Sequence, residues 1–240
     1  MAALFYIRSL RCERPVTDPE NSIQLDWQRR SRTGLPEVVF AESKSSSQLL
    51  EIARQVIAKE EQMFFTRVNE KQAATLFEAF ESHVRFHAES RTLCVSSQYA
   101  EDTEEARSFD ADVAIVAAGT SDAPVVAEIE QTLLYMGRGS TRYMDVGVAG
   151  LWRLTNLLPT LEQYRVVIAV AGMEGALFSV LGGLIDAPII AVPTSVGYGV
   201  GSGGHVALNA ALCGCSPGLA VVNIDNGFGA ATLAVKMLKL

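Results

Sequence analysis

Long apolar runs are what this 240-residue chain most plainly lacks. No stretch approaches the roughly 18 consecutive apolar residues of a membrane span, and the opening MAALFYIRSLRCERP has too short an apolar run, broken by arginines, for a signal peptide. Basic blocks are missing as well. With 20 Lys and Arg against 27 Asp and Glu and a net charge of −7, nothing offers the phosphate-neutralising stripe of a nucleic-acid binder. A single anionic ligand remains compatible with that balance. The four cysteines, Cys12, Cys94, Cys213 and Cys215, include no C-x-x-C pair, which excludes a secreted disulfide framework and points to a reducing cytoplasm. Only three histidines occur, and only His205 lies in the glycine-rich half, so the C-x-C pair lacks partners for a metal site. The phosphate-loop, zinc-protease and nucleophile-elbow patterns are all absent. GVGSGG at 199–204 superficially matches a dinucleotide fingerprint, but a PTSVGY turn separates it from its strand, so it counts for little.

What is present is a soluble, rather apolar enzyme composition, 49% hydrophobic and 20% charged, long enough for a large core. The texture changes along the chain. Residues 1–105, rich in charge and poor in glycine, are expected to form a small N-terminal α/β domain, with strands at 37–40, 63–68 and 91–95 and amphipathic helices at 47–59 and 70–80. The acidic segment AEDTEEARSFD holds the boundary, and residues 106–240 form the second domain. There, short continuous apolar runs alternate with helical stretches: strands at 141–146, 165–170, 188–192 and 219–224 follow ADVAIVAAGTSD, with helices at 124–136, 151–163, 175–184, 203–212 and 227–240. The fold class is therefore α/β, a doubly wound parallel sheet, and ligands bind beyond the carboxyl ends of its strands.

The residues at those strand ends are small, polar or glycine-rich. They comprise Gly119, Thr120, Ser121 and Asp122; Gly172, Met173, Glu174 and Gly175; Ser195, Gly197, Tyr198 and Gly199; and Asn223, Asp225, Asn226 and Gly227. AGTSD and AGMEG read as anion sites, because backbone amides at helix N-termini bind phosphate or carboxylate. Each charged candidate has a plainer reading. Asp122 suits a helix cap, Glu174 a first-turn carboxylate, Asp225 a turn residue, and a free cysteine is more often simply buried. Their convergence on one sheet edge argues for a site more strongly than any one of them does.

AAGTSDAPVVAEI, DVGVAGLWRL, VAGMEGALFSVLGGL, AVPTSVGYGVGSGG and CGCSPGLAVVNIDNGFGAA together resemble the LarB family, the pyridinium-3,5-biscarboxylic acid mononucleotide synthases of nickel-pincer cofactor biosynthesis. The resemblance spans the whole second domain. It implies a PurE-like (flavodoxin-like) catalytic domain and a carboxylase and hydrolase acting on nicotinic acid adenine dinucleotide. It implies CO2 or bicarbonate as co-substrate, no tightly bound cofactor, and Mg2+ as an optional aid to hydrolysis. PurE-like relatives assemble as octamers, which implies a homo-oligomer. Carried over residue by residue, Cys215 becomes the thiol that adds to the pyridinium ring, with Cys213 its close competitor, and Glu174 and Asp122 become acid/base groups. Thr120, Ser121 and Ser195 hold phosphate or carboxylate, with Arg142 as charge partner and Asp145 in the pocket beside it. The glycines leave room for a flat ring against Cys215. The runner-up readings are an aminoimidazole ribonucleotide carboxylase or mutase and a non-catalytic nucleotide-binding relative. Two departures stand out: Ala41-Glu42-Ser43-Lys44 replaces the family's Gly-Glu-Gly-Lys, and Trp152 stands where a histidine is common.

Overall fold

The computed structural model of the protein describes residues 23–97 and 111–239. Cys12 and the expected junction between residues 105 and 106 lie outside them. The first unit runs α1 (Arg29–Thr33), β1 (Val38–Phe40), α2 (Ser46–Ala58), β2 (Gln62–Thr66), α3 (Glu70–Phe80), β3 (Val84–His87) and β4 (Thr92–Ser96). Its helices start where the sequence supplies reciprocal caps. Ser45 accepts the Gln48 amide at 3.2 Å while Gln48 accepts that of Ser45 at 2.9 Å, and Asn69 and Gln72 repeat the exchange before α3.

The alternation expected for this unit is present, with one strand more than the sequence shows. Its sheet, ordered β1-β2-β4-β3, is parallel only between β1 and β2, and β3 and β4 form an antiparallel hairpin. Strand β3 escaped the sequence reading because only Val84 and Phe86 carry its alternation, directly after a helix. Helix α1, RRSRT, buries none of its residues and so has no apolar period to read.

The second unit runs β5 (Val113–Ala117), α4 (Ala123–Tyr135), β6 (Ser140–Tyr143), α5 (Leu151–Leu161), β7 (Val166–Ala171), α6 (Ala176–Gly182), β8 (Ile189–Pro193), α7 (His205–Cys213), β9 (Leu219–Val221) and α8 (Gly227–Met237). All five strands are parallel, in the order β6-β5-β7-β8-β9, the flavodoxin-like winding. The apolar runs divide by parity. Val113, Ile115, Val166, Ile168 and Val170 pack under α4 and α8, whereas Ala114, Val116, Val167 and Ala169 face α5, α6 and α7. Helices therefore cover both faces, and the chain reverses direction across the sheet between β5 and β7. That reversal opens a crevice at the carboxyl ends.

The first unit packs α2 and α3 against one face of its sheet and turns the other toward α4. Phe64 stacks on Tyr135 with ring centroids 5.0 Å apart, and the Tyr135 hydroxyl donates to the Gln62 carbonyl at 3.2 Å. Burial raises the Tyr135 phenol well above its ordinary value, so the hydroxyl stays a donor there.

Candidate active site

At the carboxyl edge the backbone is drawn tight around Gly172. A side chain there would stand 2.1 Å from the Val196 carbonyl oxygen and 2.8 Å from Thr194 Oγ1, so only glycine lets the turns after β7 and β8 touch. Met173 continues that contact by donating its amide to Val196 O at 3.0 Å, in the left-handed region with φ 52°. Gly204, at φ 77°, lets the start of α7 come against the Thr194 carbonyl in the same way.

Asp122 sits beneath these turns, 2% exposed. Its Oδ1 accepts the Thr194 hydroxyl at 2.7 Å and its Oδ2 the Gly119 amide at 3.0 Å. Burial holds this carboxyl above its ordinary value; the two hydrogen bonds pull the other way, and the nearby Asp225 carboxylate adds to the rise. The group is therefore more than the helix cap of the plainer reading. It is also a desolvated carboxyl at the switch point of the sheet.

Asp225, with φ 53°, follows β9 and accepts the Ser195 amide on Oδ1 at 2.8 Å. Its own amide donates to Pro193 O at 2.9 Å, which ties the end of β8 to the turn after β9. Asn226 caps α8 by accepting the Gly229 amide at 2.8 Å, and Asn223 accepts the Ile224 amide at 2.9 Å, so both shape the turn. Gly227 is buried where a side chain would meet Glu128 Oε2 and the Val125 carbonyl, each at 2.8 Å, and serves the approach of α8 to α4. Thr120, Ser121 and Glu174 are exposed at this edge, and Gly197, Tyr198 and Gly199 form its outer rim.

Several amides of these turns are already engaged. Gly119 N donates to Asp122, Met173 N to Val196 O, Gly175 N to Gly172 O and Ser195 N to Asp225.

Two expected residues are not brought to the edge. Arg142 lies inside the edge strand β6, with Glu130 at 3.4 Å and Glu89 at 3.9 Å; Arg153, at the start of α5, stands closer to the carboxyl end of β6. Arg153 pairs with Asp145, which sits at φ 59° after β6, and its buried Nε has no hydrogen-bond partner. Cys215 lies at the opposite edge. Helix α7 leaves the carboxyl edge at His205 and travels nine residues, about 13.5 Å, down the sheet before Cys213. Residues 214–218 precede β9, whose first residue Leu219 is level with Ile189, the first of β8. Ser216 there donates to Ser179 O at 2.7 Å, beside the far end of α6, and both Cys213 and Cys215 are exposed. Adjacency in sequence to the NIDNG turn hid this, because a strand of the sheet separates the two.

A cavity of about 340 Å³ opens between the two units at the carboxyl edge. Ser121, Ser195 and Asp225 line it from the second unit, and Glu42, Arg67, Glu89 and Arg91 from the first. Arg67 donates to the Asp225 carbonyl at 2.6 Å. Glu128, 5% exposed, accepts the Thr66 hydroxyl and the Phe228 amide, the latter at 3.2 Å; burial raises its carboxyl above the ordinary value against those bonds. Sequence reasoning missed Arg67, Arg153 and Glu128, since nothing in the spacing marks an arginine that crosses between units or a glutamate inside an apolar helix. Among the described residues no group of three or more His, Cys, Asp or Glu is gathered to hold a metal ion. No helix among them is long and apolar enough to cross a membrane.

Comparison with known proteins agrees with this two-part layout. Residues 18–98 match the family model described as LarB/PurE-like N-terminal domain, and residues 112–240 that described as AIR carboxylase. The uncharacterized protein MJ0165 of Methanocaldococcus jannaschii is 35% identical over 227 residues, 92% of this chain and 86% of that protein. Among solved structures, Treponema denticola PurE aligns at TM-score 0.46 and 20% identity over 53% of this chain and 79% of its own. A substituted form of PurE2 from the same organism aligns at TM-score 0.45 and 22% identity with the same coverage. With both domains in order, and a curated relative matched across nearly its whole length, the chain belongs to the LarB family and carries an AIR carboxylase-like catalytic domain.

Proposed function

We propose that the protein carboxylates the pyridinium ring of nicotinic acid adenine dinucleotide and cleaves its phosphoanhydride, giving pyridinium-3,5-biscarboxylic acid mononucleotide and AMP. The observation that carries this reading is Asp122, a buried carboxyl with a raised proton affinity at the switch point, which feels the charge of Asp225 on the cavity wall. Adding CO2 to an aromatic carbon requires removal of the proton on that carbon, and a desolvated carboxyl is suited to that transfer. The pyridinium is an electrophile. A thiolate adds to the carbon beside its nitrogen, and the ring electrons collapse to an enamine. The next carbon attacks CO2, Asp122 or Glu174 takes the ring proton, and expulsion of the thiolate restores the aromatic cation. Water then cleaves the P–O–P linkage to release AMP. Ser121 and Arg91, in the cavity, are suited to the phosphates.

Cys215 is the proposed thiol, and its position supports a role in the site of a second copy of the chain. The edge that bears Asp122 exposes Trp152, Tyr198 and Val200 at 67, 77 and 91%, while Leu212, beside the thiols, is 66% exposed. Apolar surface at both ends of the sheet favours a homo-oligomer in which one protomer's thiol loop meets the neighbour's carboxyl edge. Two exposed free thiols also fit the reducing cytoplasm.

A second reading is favoured by that same position. Among the described residues of one protomer the carboxyl edge holds no thiol, which suits an aminoimidazole ribonucleotide carboxylase or mutase, whose chemistry needs none. The test is incubation of the purified protein with nicotinic acid adenine dinucleotide and bicarbonate, followed by mass spectrometry. The expected result is AMP together with a mononucleotide bearing one added carboxylate, and loss of both in Cys215→Ser. Turnover of the dinucleotide by Cys215→Ser at the wild-type rate sinks the covalent step. Turnover of aminoimidazole ribonucleotide alone establishes the second reading.

A further inference from the structure

Thr66 and Arg67 are neighbours at the end of β2; Arg67 reaches across to the turn that opens α8 directly, and Thr66 reaches the start of α8 through Glu128 of α4. Thr66 Oγ1 donates to Glu128 Oε1, and Glu128 Oε2 accepts the Phe228 amide at 3.2 Å. That carboxylate therefore sits at the N-terminus of α8, where negative charge complements the helix dipole. On the other side Arg67 donates to the Asp225 carbonyl at 2.6 Å across 158 residues of sequence. The turn and the helix after it are thus held from the other unit by two adjacent residues, Arg67 directly and Thr66 through Glu128.

Arg67 is itself held in place. Its backbone lies at φ 57°, a region a long side chain rarely adopts and that persists only where the surroundings dictate it. Its guanidinium lies over the Phe40 ring at 5.6 Å and has Glu42 at 3.7 Å. What it grips matters to the site, because the Asp225 carboxylate fixes the Ser195 amide and acts on the charge of Asp122.

We propose that the N-terminal unit is a positioning element of the active site, and that Arg67, with Thr66, fixes the Asp225 turn against the end of β8. Only the kinetic arm of its test rests on the carboxylase reading. Arg67 is a positioning residue, acting on the reaction through Asp225. Lysine does not replace it fully, since a compact ammonium cannot reach the carbonyl, pair with Glu42 and lie flat on Phe40 together.

The decisive experiment is residue-resolved amide hydrogen exchange on the full chain without substrate. Arg67→Ala is expected to speed exchange at the Ser195 amide about tenfold or more, with the β7 amides unchanged, because a charge-assisted bond of this kind is worth a factor of that size. Arg67→Lys falls between. Thr66→Val, which keeps the shape and removes the hydroxyl, speeds exchange at Phe228. With the dinucleotide, Arg67→Ala lowers kcat about tenfold or more while KM moves less than about threefold. Unchanged exchange at Ser195 in a folded Arg67→Ala or Arg67→Lys protein overturns the proposal. Faster exchange in a protein whose wild type turns over no dinucleotide upholds the clamp and rejects the carboxylase reading alone.

Discussion

Asp122 illustrates how a single residue acquires a task from its surroundings. Its carboxyl ordinarily ionises at 3.8, and burial beneath Thr194 moves it upward. A carboxyl raised in the folded state contributes its full stability below the unfolded value and loses it as pH climbs through the folded one. The difference in unfolding free energy between wild type and Asp122→Asn therefore falls as pH rises from about 4. Urea titrations at stepped pH measure that difference, and a gap that widens with pH contradicts the assignment. The same substitution keeps the Thr194 contact but cannot take up a proton, so turnover drops by about 10²- to 10⁴-fold with the fold intact. The type and chain position of Asp122 were legible in AGTSD; its partner Thr194, 72 residues away, was not. Arg142 shows the converse. A cation close to the right strand end looked suitable, but two carboxylates hold it on the sheet edge, and Arg153 takes the place beside Asp145.

Among the elements, the parallel strands were the easiest to read, because both faces of β5 and β7 are buried and their sequences are unbroken apolar runs. Residues 84–87 offered only two apolar positions, and the mixed first sheet follows from a hairpin that no glycine-containing two-residue turn announces. The loops of the carboxyl edge are held by close backbone approach, and that yields a prediction. Gly172→Ala places a methyl group 2.1 Å from Val196 O, which the turns after β7 and β8 relieve only by parting. The expected cost is about 1–3 kcal/mol in a urea melt. Substrate affinity should weaken too, since Thr194 and Val196 move together. A variant with wild-type stability shows that the two turns are less tightly joined than this geometry requires.

For the whole molecule, the central fact is that one protomer separates the two groups the proposed chemistry needs. Asp122 lies at the carboxyl edge and Cys215 at the amino edge, on opposite sides of the strands. Sequence order concealed the separation, since residues 215 and 225 flank the short strand β9 and end at its two poles. If the thiol belongs to a neighbour's site, two inactive proteins repair one another. Asp122→Asn supplies intact thiols, Cys215→Ser supplies intact acids, and random association within a closed oligomer pairs both wild-type groups at about one site in four. Mixing the two variants, dissociating them in mild denaturant and allowing reassembly should restore about that share of wild-type turnover, whereas each alone stays silent. Restoration scales with the product of the two fractions and peaks at equal amounts. A mixture as inactive as its parts, in oligomers that sedimentation shows to have exchanged subunits, places thiol and acid in one chain and requires the α7–β9 loop to move.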